Sequence, residues 1–559
     1  MKMKRILCLL CVAVMLLPGI AMGAAKDFVL WLSPDGERNI RAIDWYKERN
    51  VYYLFLPGNI QPEQMKIGFT EADSITIDKK KVNNGDSADF LKVGKSYTVG
   101  VGKKSYELKI LQGNADLPSL FITTDSGKLD YIQKKKENKE PGKLVFISPT
   151  GEIEYDDLLT HIKIRGNSSV TFPKKNYQIK LQNGTNLCGM GKSKTWILSA
   201  NYRDKSLLRN QITMDLAMYA GLAYTPEHIA AEVYINHQYE GLYLFSEKVA
   251  IDDDRVDIFD LESATEELND GDVSGFAMKG AKSTKKTQYK YYEIPQEPED
   301  CTGGYLFEYE AYHSRYAQEA SAYYTKHANT VVIKSPEYCT QNQMVYITSL
   351  IQSFENAIFA KDGIDPGTGK HYSELFDMDS LVKKYMLEEI SKNYDGNNSS
   401  QYFYKPADSQ STLAYAGPAW DYDSAYGSYA QKRTLKKLEN GKGLWIGNAT
   451  AEDYWWPALY KQADFHERVL QTYDEVYRHG LQILLGKESG EGTPLRSLEE
   501  YASAIEASAE MNVLRWPRQK KNSIVAQTGY SFRDNIKYLT QYLTERVEFL
   551  DKEWSLTGK

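Results

Sequence analysis

Apolar and polar positions follow three successive styles along this chain. The first is one apolar run, Ile6 to Leu17, preceded by Lys2, Lys4 and Arg5 and broken at Pro18-Gly19. Ala21-Met22-Gly23 then supplies small residues at a cleavage spacing, and the whole predicts a secretory signal peptide over residues 1–23. The competing reading is a membrane anchor, but the run is shorter than the roughly 20 residues a span needs. No later segment is long and apolar enough to span.

The second style is short strands. Phe28–Trp31, Tyr52–Phe55, Ser74–Ile77, Tyr97–Val99 and Tyr106–Ile110 are separated by Pro, Gly, Asn and Asp. This predicts a small β-sandwich-like domain over residues 24–114. Nothing in it carries chemistry, and it reads as a structural or adhesion module. A second β-rich stretch starts near Leu117 and includes Phe121-Ile122, Leu144–Ile147, Ile162–Ile164 and Tyr177–Leu181. Lys134–Lys136 between them reads as a solvated loop.

The third style is helical. Leu207, Leu208, Ile212, Leu216 and Ala217 repeat at helix spacing. Val233–Ile235 and Leu242–Phe245 flank a Gly-containing turn and predict a hairpin. Glu262 to Asp300 is polar and Lys-rich, which predicts an insertion or mobile loop. Gly304–Tyr309 is strand-like, and helices are predicted near 341–360 and 379–392. After Tyr454 the pattern is almost entirely helical. The last helix carries Ile536, Leu539, Leu543, Val547 and Leu550 on one face, with Asp534 near its start.

Composition narrows the function classes. With 559 residues, 42% hydrophobic and 26% charged, the chain is of ordinary globular make-up and long enough for several domains. Its net charge of -7 would fall to about -10 once the leader's three cations are removed. That excludes a nucleic-acid coating role and favours basic or neutral partners. Of five Cys, Cys8 and Cys11 leave with the leader. Cys188, Cys301 and Cys339 allow at most one bridge, and no CxxC pair supports a zinc site. The 42 Tyr against 18 Phe suit half-wet surfaces and clefts.

Candidate chemistry lies in three places. Gly191-Lys192-Ser193 imitates a Walker motif, but Asn186 stands where its first Gly is required. There is no HExxH or GxSxG, and the eight His do not cluster. The strongest segment is Trp420-Asp421-Tyr422-Asp423. In an extended segment residues two apart share a side, so Asp421 and Asp423 offer two hard oxygen ligands for Mg²⁺ or Mn²⁺. The alternative is a pair of turn aspartates. Upstream, Asn393-Tyr394-Asp395-Gly396-Asn397-Asn398 precedes a short strand, Tyr402–Lys405. A carboxylate, then an amide, then a later Asp is the order of a kinase-type catalytic half, though such clusters also make turns. Third, Arg165-Gly166-Asn167-Ser168-Ser169 offers hydrogen-bond donors to phosphate, and Lys180 lies opposite Tyr177, Ile179 and Leu181 on the next strand. An exposed strand Lys is the alternative.

These segments together resemble the CotH-type spore-coat protein kinase family. Arg165–Ser169 followed by Pro173–Leu181 resembles its hallmark. Leu187–Met190, Trp196–Leu198, Asn201–Asp204, Leu208–Asn210, Tyr234–Val249, Gly303–Glu308, Asn393–Asp395, Trp420–Gly427 and the last helix follow in the family's order. The resemblance covers roughly 115–555, with Tyr426 where Phe is usual. It implies an α+β, atypical protein-kinase-like fold of two lobes over 115–559: a β-rich lobe at about 115–250 and a mainly helical one at about 300–559. It also implies transfer of the ATP γ-phosphoryl group to Ser or Thr of an acceptor protein. By the same resemblance Lys180 binds phosphates with Arg165, Asn167 and Ser168, and Glu247 lies near the nucleotide. Asp421 holds metal with Asp423 and Asn398, and Asp395 is the catalytic carboxylate with Asp421. Export points to the cell surface or outside. The rival is a non-catalytic surface or spore-coat adhesion protein on the same fold, and a glycosidase using paired carboxylates stands third.

Overall fold

The computed structural model describes residues 28–35, 38–44, 51–280, 286–428, 436–447, 453–517 and 531–556. The signal peptide expected over 1–23, with Cys8 and Cys11, lies outside the described residues. The chain divides into two compact units, residues 1–54 with 61–111, and residues 55–60 with 112–559.

The first unit holds a three-stranded and a six-stranded sheet. In strand Ser96–Val101, Tyr97 and Val99 point inward and their neighbours outward, the period-2 alternation of a half-buried strand. Strand Lys66–Phe69 went unread in the sequence; it contains Gly68, against which the Trp31 indole lies.

The second unit opens with a closed barrel. Its strands are β1 (Ser119–Thr124), β2 (Glu140–Ile147), β3 (Ile153–Arg165), β4 (Asn176–Asn186), β5 (Lys192–Ser199), β6 (His228–Ile235) and β7 (Gln238–Glu247). They run in the order β1-β2-β3-β4-β5-β7-β6, and β6 closes onto β1 in parallel. Leu120, Ile162, Tyr177, Ile179, Trp196 and Phe245 belong to the buried cluster of this barrel. Tyr177, Ile179 and Leu181 of β4 are fully buried, so Gln178 and Lys180 face away.

Between β5 and β6 runs α1 (Arg209–Tyr219). Its start is fixed by the buried Asp204, which accepts from the backbone N–H groups of Ser206 and Arg209 and pairs with the Arg209 guanidinium. The hairpin between β6 and β7 turns at Asn236-His237, both with positive φ, as a tight two-residue turn requires. Gly241 is therefore not in the turn. It sits in β7 at φ +125, where a Cβ would strike the Asn512 side chain.

Next come α2 (Leu261–Leu268), β8 (Met278–Gly280), β9 (Gln288–Tyr292), β10 (Tyr305–Glu310), α3 (His313–Gln318), β11 (Ala322–Tyr324) and β12 (Thr330–Ser335). With β13 (Gln401–Lys405) and β14 (Tyr415–Ala416) they form a seven-stranded sheet ordered β8-β9-β11-β12-β10-β13-β14. The polar stretch expected to be an insertion or mobile loop thus supplies a helix and two strands. Its Lys290 is buried, donates to the Glu319 carbonyl and lies 5.2 Å from the Tyr316 ring. Tyr and Lys stems provide the apolar contact that a count of aliphatic residues misses.

The helices α4 (Gln341–Phe359), α5 (Met378–Ser391), α6 (Trp455–Tyr460), α7 (Ala463–Thr472), α8 (Arg478–Leu484), α9 (Leu498–Arg515) and α10 (Phe532–Trp554) complete the unit. Capping boxes start α4, α9 and α10, the last through Ser531 and Asp534. The protein is thus α+β. Cys188, Cys301 and Cys339 carry free thiols. No helix among the described residues is long and apolar enough to cross a membrane.

Candidate active site

The main cavity, about 1080 Å³, lies within the second unit and is lined by barrel and sheet residues together. The barrel contributes Lys163 and Arg165 from β3, the loop Gly166 to Val170, Gln178 of β4, Ser246 of β7, and Asn201 and Arg203 after β5. The remainder contributes Glu308 and Glu310 of β10, Tyr394 and Asp395 after α5, Tyr402 of β13, and Trp420, Asp421 and Asp423 after β14.

Loop 166–170 is built to stay open. Gly166 takes φ +107, and its Cβ position is filled by the Ser169 hydroxyl. Asn176 donates to Ser169 Oγ at 3.1 Å and Lys175 to the Val170 carbonyl at 2.7 Å. From α3, Arg315 reaches Asn167 Oδ1 at 3.1 Å. Asn167 and Ser168 are themselves exposed.

Three aspartates, Asp395, Asp421 and Asp423, line the cavity. Asp421 adopts φ +69, a left-handed conformation that costs a non-glycine residue about 1–3 kcal/mol and persists where the surroundings enforce it. Here Asn210 Oδ1 accepts from the Tyr422 N–H at 2.6 Å, Asn393 Nδ2 donates to the Asp421 carbonyl at 3.4 Å, and Ser400 Oγ donates to Asp421 Oδ2 at 3.1 Å. Tyr422 turns into the core and hydrogen-bonds the buried Lys384–Glu388 pair. Asp421 and Asp423 are left facing the cavity. Burial, then Asp421 and Asp423, push the Asp395 carboxyl up to about 8, against Arg203. Burial and then Asp421 raise Asp423 to about 7, again opposed by Arg203.

These are oxygen donors only, crowded and mutually repelling, with Arg203 the cation that offsets them. That set fits a hard divalent cation. Among the described residues no three acidic, His or Cys side chains converge on one point. Mg²⁺ or Mn²⁺ would find one or two carboxylates here, with phosphate oxygens and water left to complete the shell.

Arg165 lies with its guanidinium 5.1 Å from the Trp420 ring centroid, beside Asp421, Glu308 and Tyr402. The structure thus brings Arg165, Asn167, Ser168, Asp395, Asp421 and Asp423 to one cavity. Lys180, Glu247 and Asn398 are not among the residues lining it. Lys180 pairs in register with His161 and Thr195 on the outer barrel face. Glu247 accepts from the Glu227 N–H at 2.8 Å and pairs with Arg255, whose guanidinium packs over Trp196. Asn398 donates back to the Tyr394 carbonyl at 2.9 Å. The amides that touch the Asp421–Tyr422 backbone are instead Asn393 and Asn210. Arg203, Ser400, Lys163, Glu308 and Glu310 carried no assigned role in the sequence reading. Arg203 and Glu308 do lie in segments that carry the family resemblance, Asn201–Asp204 and Gly303–Glu308.

Residues 162–550 match the protein family described as CotH kinase protein. No curated protein matches the chain.

Proposed function

Because the chain belongs to the CotH kinase protein family, we propose that it is an exported protein kinase that transfers the ATP γ-phosphoryl group to Ser or Thr hydroxyls of a protein acceptor. The observation that carries this reading is one cavity lined by both the Arg165–Ser169 loop and Asp395, Asp421 and Asp423. In this reading the barrel and the helical remainder act as the two lobes of a kinase.

The roles follow from the donors. Loop N–H and hydroxyl groups, with Arg165, hold phosphate oxygens. Asp421 and Asp423 hold a divalent cation, which when bound offsets the charge on those oxygens. Arg203 adds a fixed positive charge beside Asp395 and Asp423. A cation held by Asp421 and Asp423 would offset the two charges that push the Asp395 carboxyl up to about 8; ionised in that way, Asp395 would orient the acceptor hydroxyl and take its proton as the new O–P bond forms and ADP departs with the bridging oxygen. Catalysis of this kind rests on positioning and fixed charge rather than on a covalent intermediate. The leader, and a place at a cell or spore surface, belong to the same proposal, as does a non-catalytic role for the N-terminal β unit.

The test is phosphate transfer from labelled ATP with Mg²⁺ or Mn²⁺ to the protein itself or to a Ser-rich peptide. Asp421→Asn should abolish transfer while leaving the melting temperature within a few degrees. If the wild-type protein neither binds nucleotide nor transfers phosphate with either metal, the adhesion reading replaces this one.

A further inference from the structure

One buried amide joins the two segments that carry Asp395 and Asp421. Helix α5 ends at Ser391, Lys392 takes φ +47, and the chain turns through residues 393–398. Asn393 is fully buried, and each of its polar atoms is engaged. Its N–H donates to the Glu388 carbonyl at 3.1 Å. Its carbonyl accepts from the Gly396 N–H and from Trp445 Nε1, each at 3.1 Å. In the side chain, Oδ1 accepts from the Asp395 N–H at 3.2 Å. Nδ2 donates to Glu388 Oε2 at 2.9 Å and to the Asp421 carbonyl at 3.4 Å. A neutral amide can accept once and donate twice in this way, whereas a carboxylate has no proton to give Glu388 or the carbonyl.

This amide is supported twice. Glu388 is buried, and its Oε1 accepts from Lys384 Nζ at 2.6 Å and from the Tyr422 hydroxyl at 2.8 Å. The second support is the segment 436–447, which carries Trp445. Three buried charged side chains of α5, its C-cap and α10 are directed at the backbone of that segment. Glu389 accepts from the N–H groups of Trp445, Ile446 and Gly447 at 2.8, 2.7 and 2.9 Å. Lys392 donates to the carbonyls of Asn440 and Lys442 at 3.1 and 2.7 Å, and Arg546 to that of Gly443 at 2.7 Å. Withdrawing the segment would leave these charges buried without those partners, which is strongly destabilising. It is a fixed strap, not a lid. Gly396 shows how closely the turn is packed: a Cβ there would lie 2.6 Å from Ile446 Cδ1 and 2.9 Å from Glu388 Oε2.

Such support matters because Asp421 sits at φ +69, a conformation that persists only where its surroundings enforce it. Groups that hold a cation or move a proton must be placed to within about 0.5 Å. A displacement of about 1 Å can cost about a hundredfold in rate.

We infer that Asn393 is a positioning residue, which sets Asp395 and Asp421 in the relative placement that metal-assisted phosphoryl transfer requires, without itself touching the reacting atoms. This rests on the kinase reading, because the roles of the two aspartates come from it. Glu388 and Trp445 act through Asn393.

The experiment uses the full chain, at a temperature where circular dichroism shows the variants folded. Mn²⁺ binding in the presence of a non-hydrolysable ATP analogue is read from the electron paramagnetic resonance of free Mn²⁺. Phosphate transfer gives kcat and KM for ATP. Asn393→Ala should raise the Mn²⁺ dissociation constant at least fivefold and lower kcat about a hundredfold, with KM for ATP within threefold of wild type. Trp445→Phe keeps an aromatic ring and removes one hydrogen bond to the Asn393 carbonyl, so it should lower kcat about fivefold. A residue that serves stability alone would lower the melting temperature and leave Mn²⁺ binding and kcat of the folded protein unchanged. Mn²⁺ binding within twofold of wild type in Asn393→Ala overturns the inference, and so does a change confined to KM. If the Ala variant does not fold, Trp445→Phe decides, and an unchanged kcat there overturns it. A wild-type protein that binds Mn²⁺ with the analogue but transfers no phosphate would sink the kinase reading alone; the Mn²⁺ comparison would still decide for or against Asn393.

Discussion

At the scale of single residues, position in sequence and direction of the side chain part company wherever the chain leaves regular structure. Asp421 and Asp423 were paired on the expectation of an extended segment; both line the cavity, although Asp421, at φ +69, is not extended. The amide partner was not legible. Asn398 folds back on its own loop, while Asn393, five residues earlier, reaches the Asp421 carbonyl. Only the turn geometry decides between them. Glu232 shows the same limit in a strand. It is 1% exposed, accepts from Ser508 Oγ at 2.8 Å, and is pushed by burial up to about 8. Between about pH 4.5 and 8 the unfolded chain carries this carboxylate ionised while the folded chain keeps its proton. The stability it contributes is therefore full below pH 4.5 and lost as pH rises through 8. Melting curves from pH 5 to 8 should show Glu232→Gln losing less stability with rising pH than the wild type.

Elements were legible where period and caps agree. The spacing of Leu and Ile gave α1, α4, α5 and α10 to within a few residues, and Asp534 does cap α10 with Ser531. The helix and strands of 262–300 were not legible because its buried aliphatic residues are few, Val273 and Ile294 among them, and Tyr rings and the buried Lys290 supply further contacts. Gly241 was misplaced for a related reason: it is required by a neighbouring helix, not by its own turn. There α9 meets β7. Asn512 Oδ1 accepts from Lys174 Nζ at 2.9 Å and from the Leu242 N–H at 3.2 Å. Lys174 is 1% exposed, and its other acceptors are the carbonyls of Ala200 and Leu242. Asn512→Ala leaves a buried ammonium short of an acceptor and should cost about 1–3 kcal/mol in urea unfolding. Asn512→Asp, which keeps the acceptor and adds a compensating charge, should cost less than the Ala variant.

At the scale of the molecule, the second unit does not begin where the first ends. Residues 55–60 belong to it although residues 61–111 of the first unit follow them in sequence. Tyr234 donates to the Phe55 carbonyl at 3.0 Å, Asn59 to the Ser148 carbonyl at 3.3 Å, and Gln112 to the carbonyl of Ile60 at 2.8 Å. A chain started at Gln112 would lose these partners and leave the Tyr234 hydroxyl buried without one. At about 1–3 kcal/mol for each such group, its unfolding midpoint in denaturant should fall clearly below that of the full chain. A sequence reading that seeks boundaries as single points has no means of seeing a unit made of two pieces.

The parallel seam of the barrel has a consequence in time. β1 finds its closing partner only in β6, which follows after more than a hundred residues. Until that stretch has emerged, β1 presents an unpaired flank to whatever chain lies nearby. Contacts of such long range are slow to form, because the loop between them must be closed first. A nascent chain halted before residue 228 would hold five of the seven strands and no means of sealing them. It is therefore during synthesis, more than in the finished fold, that this protein is most exposed to mispairing.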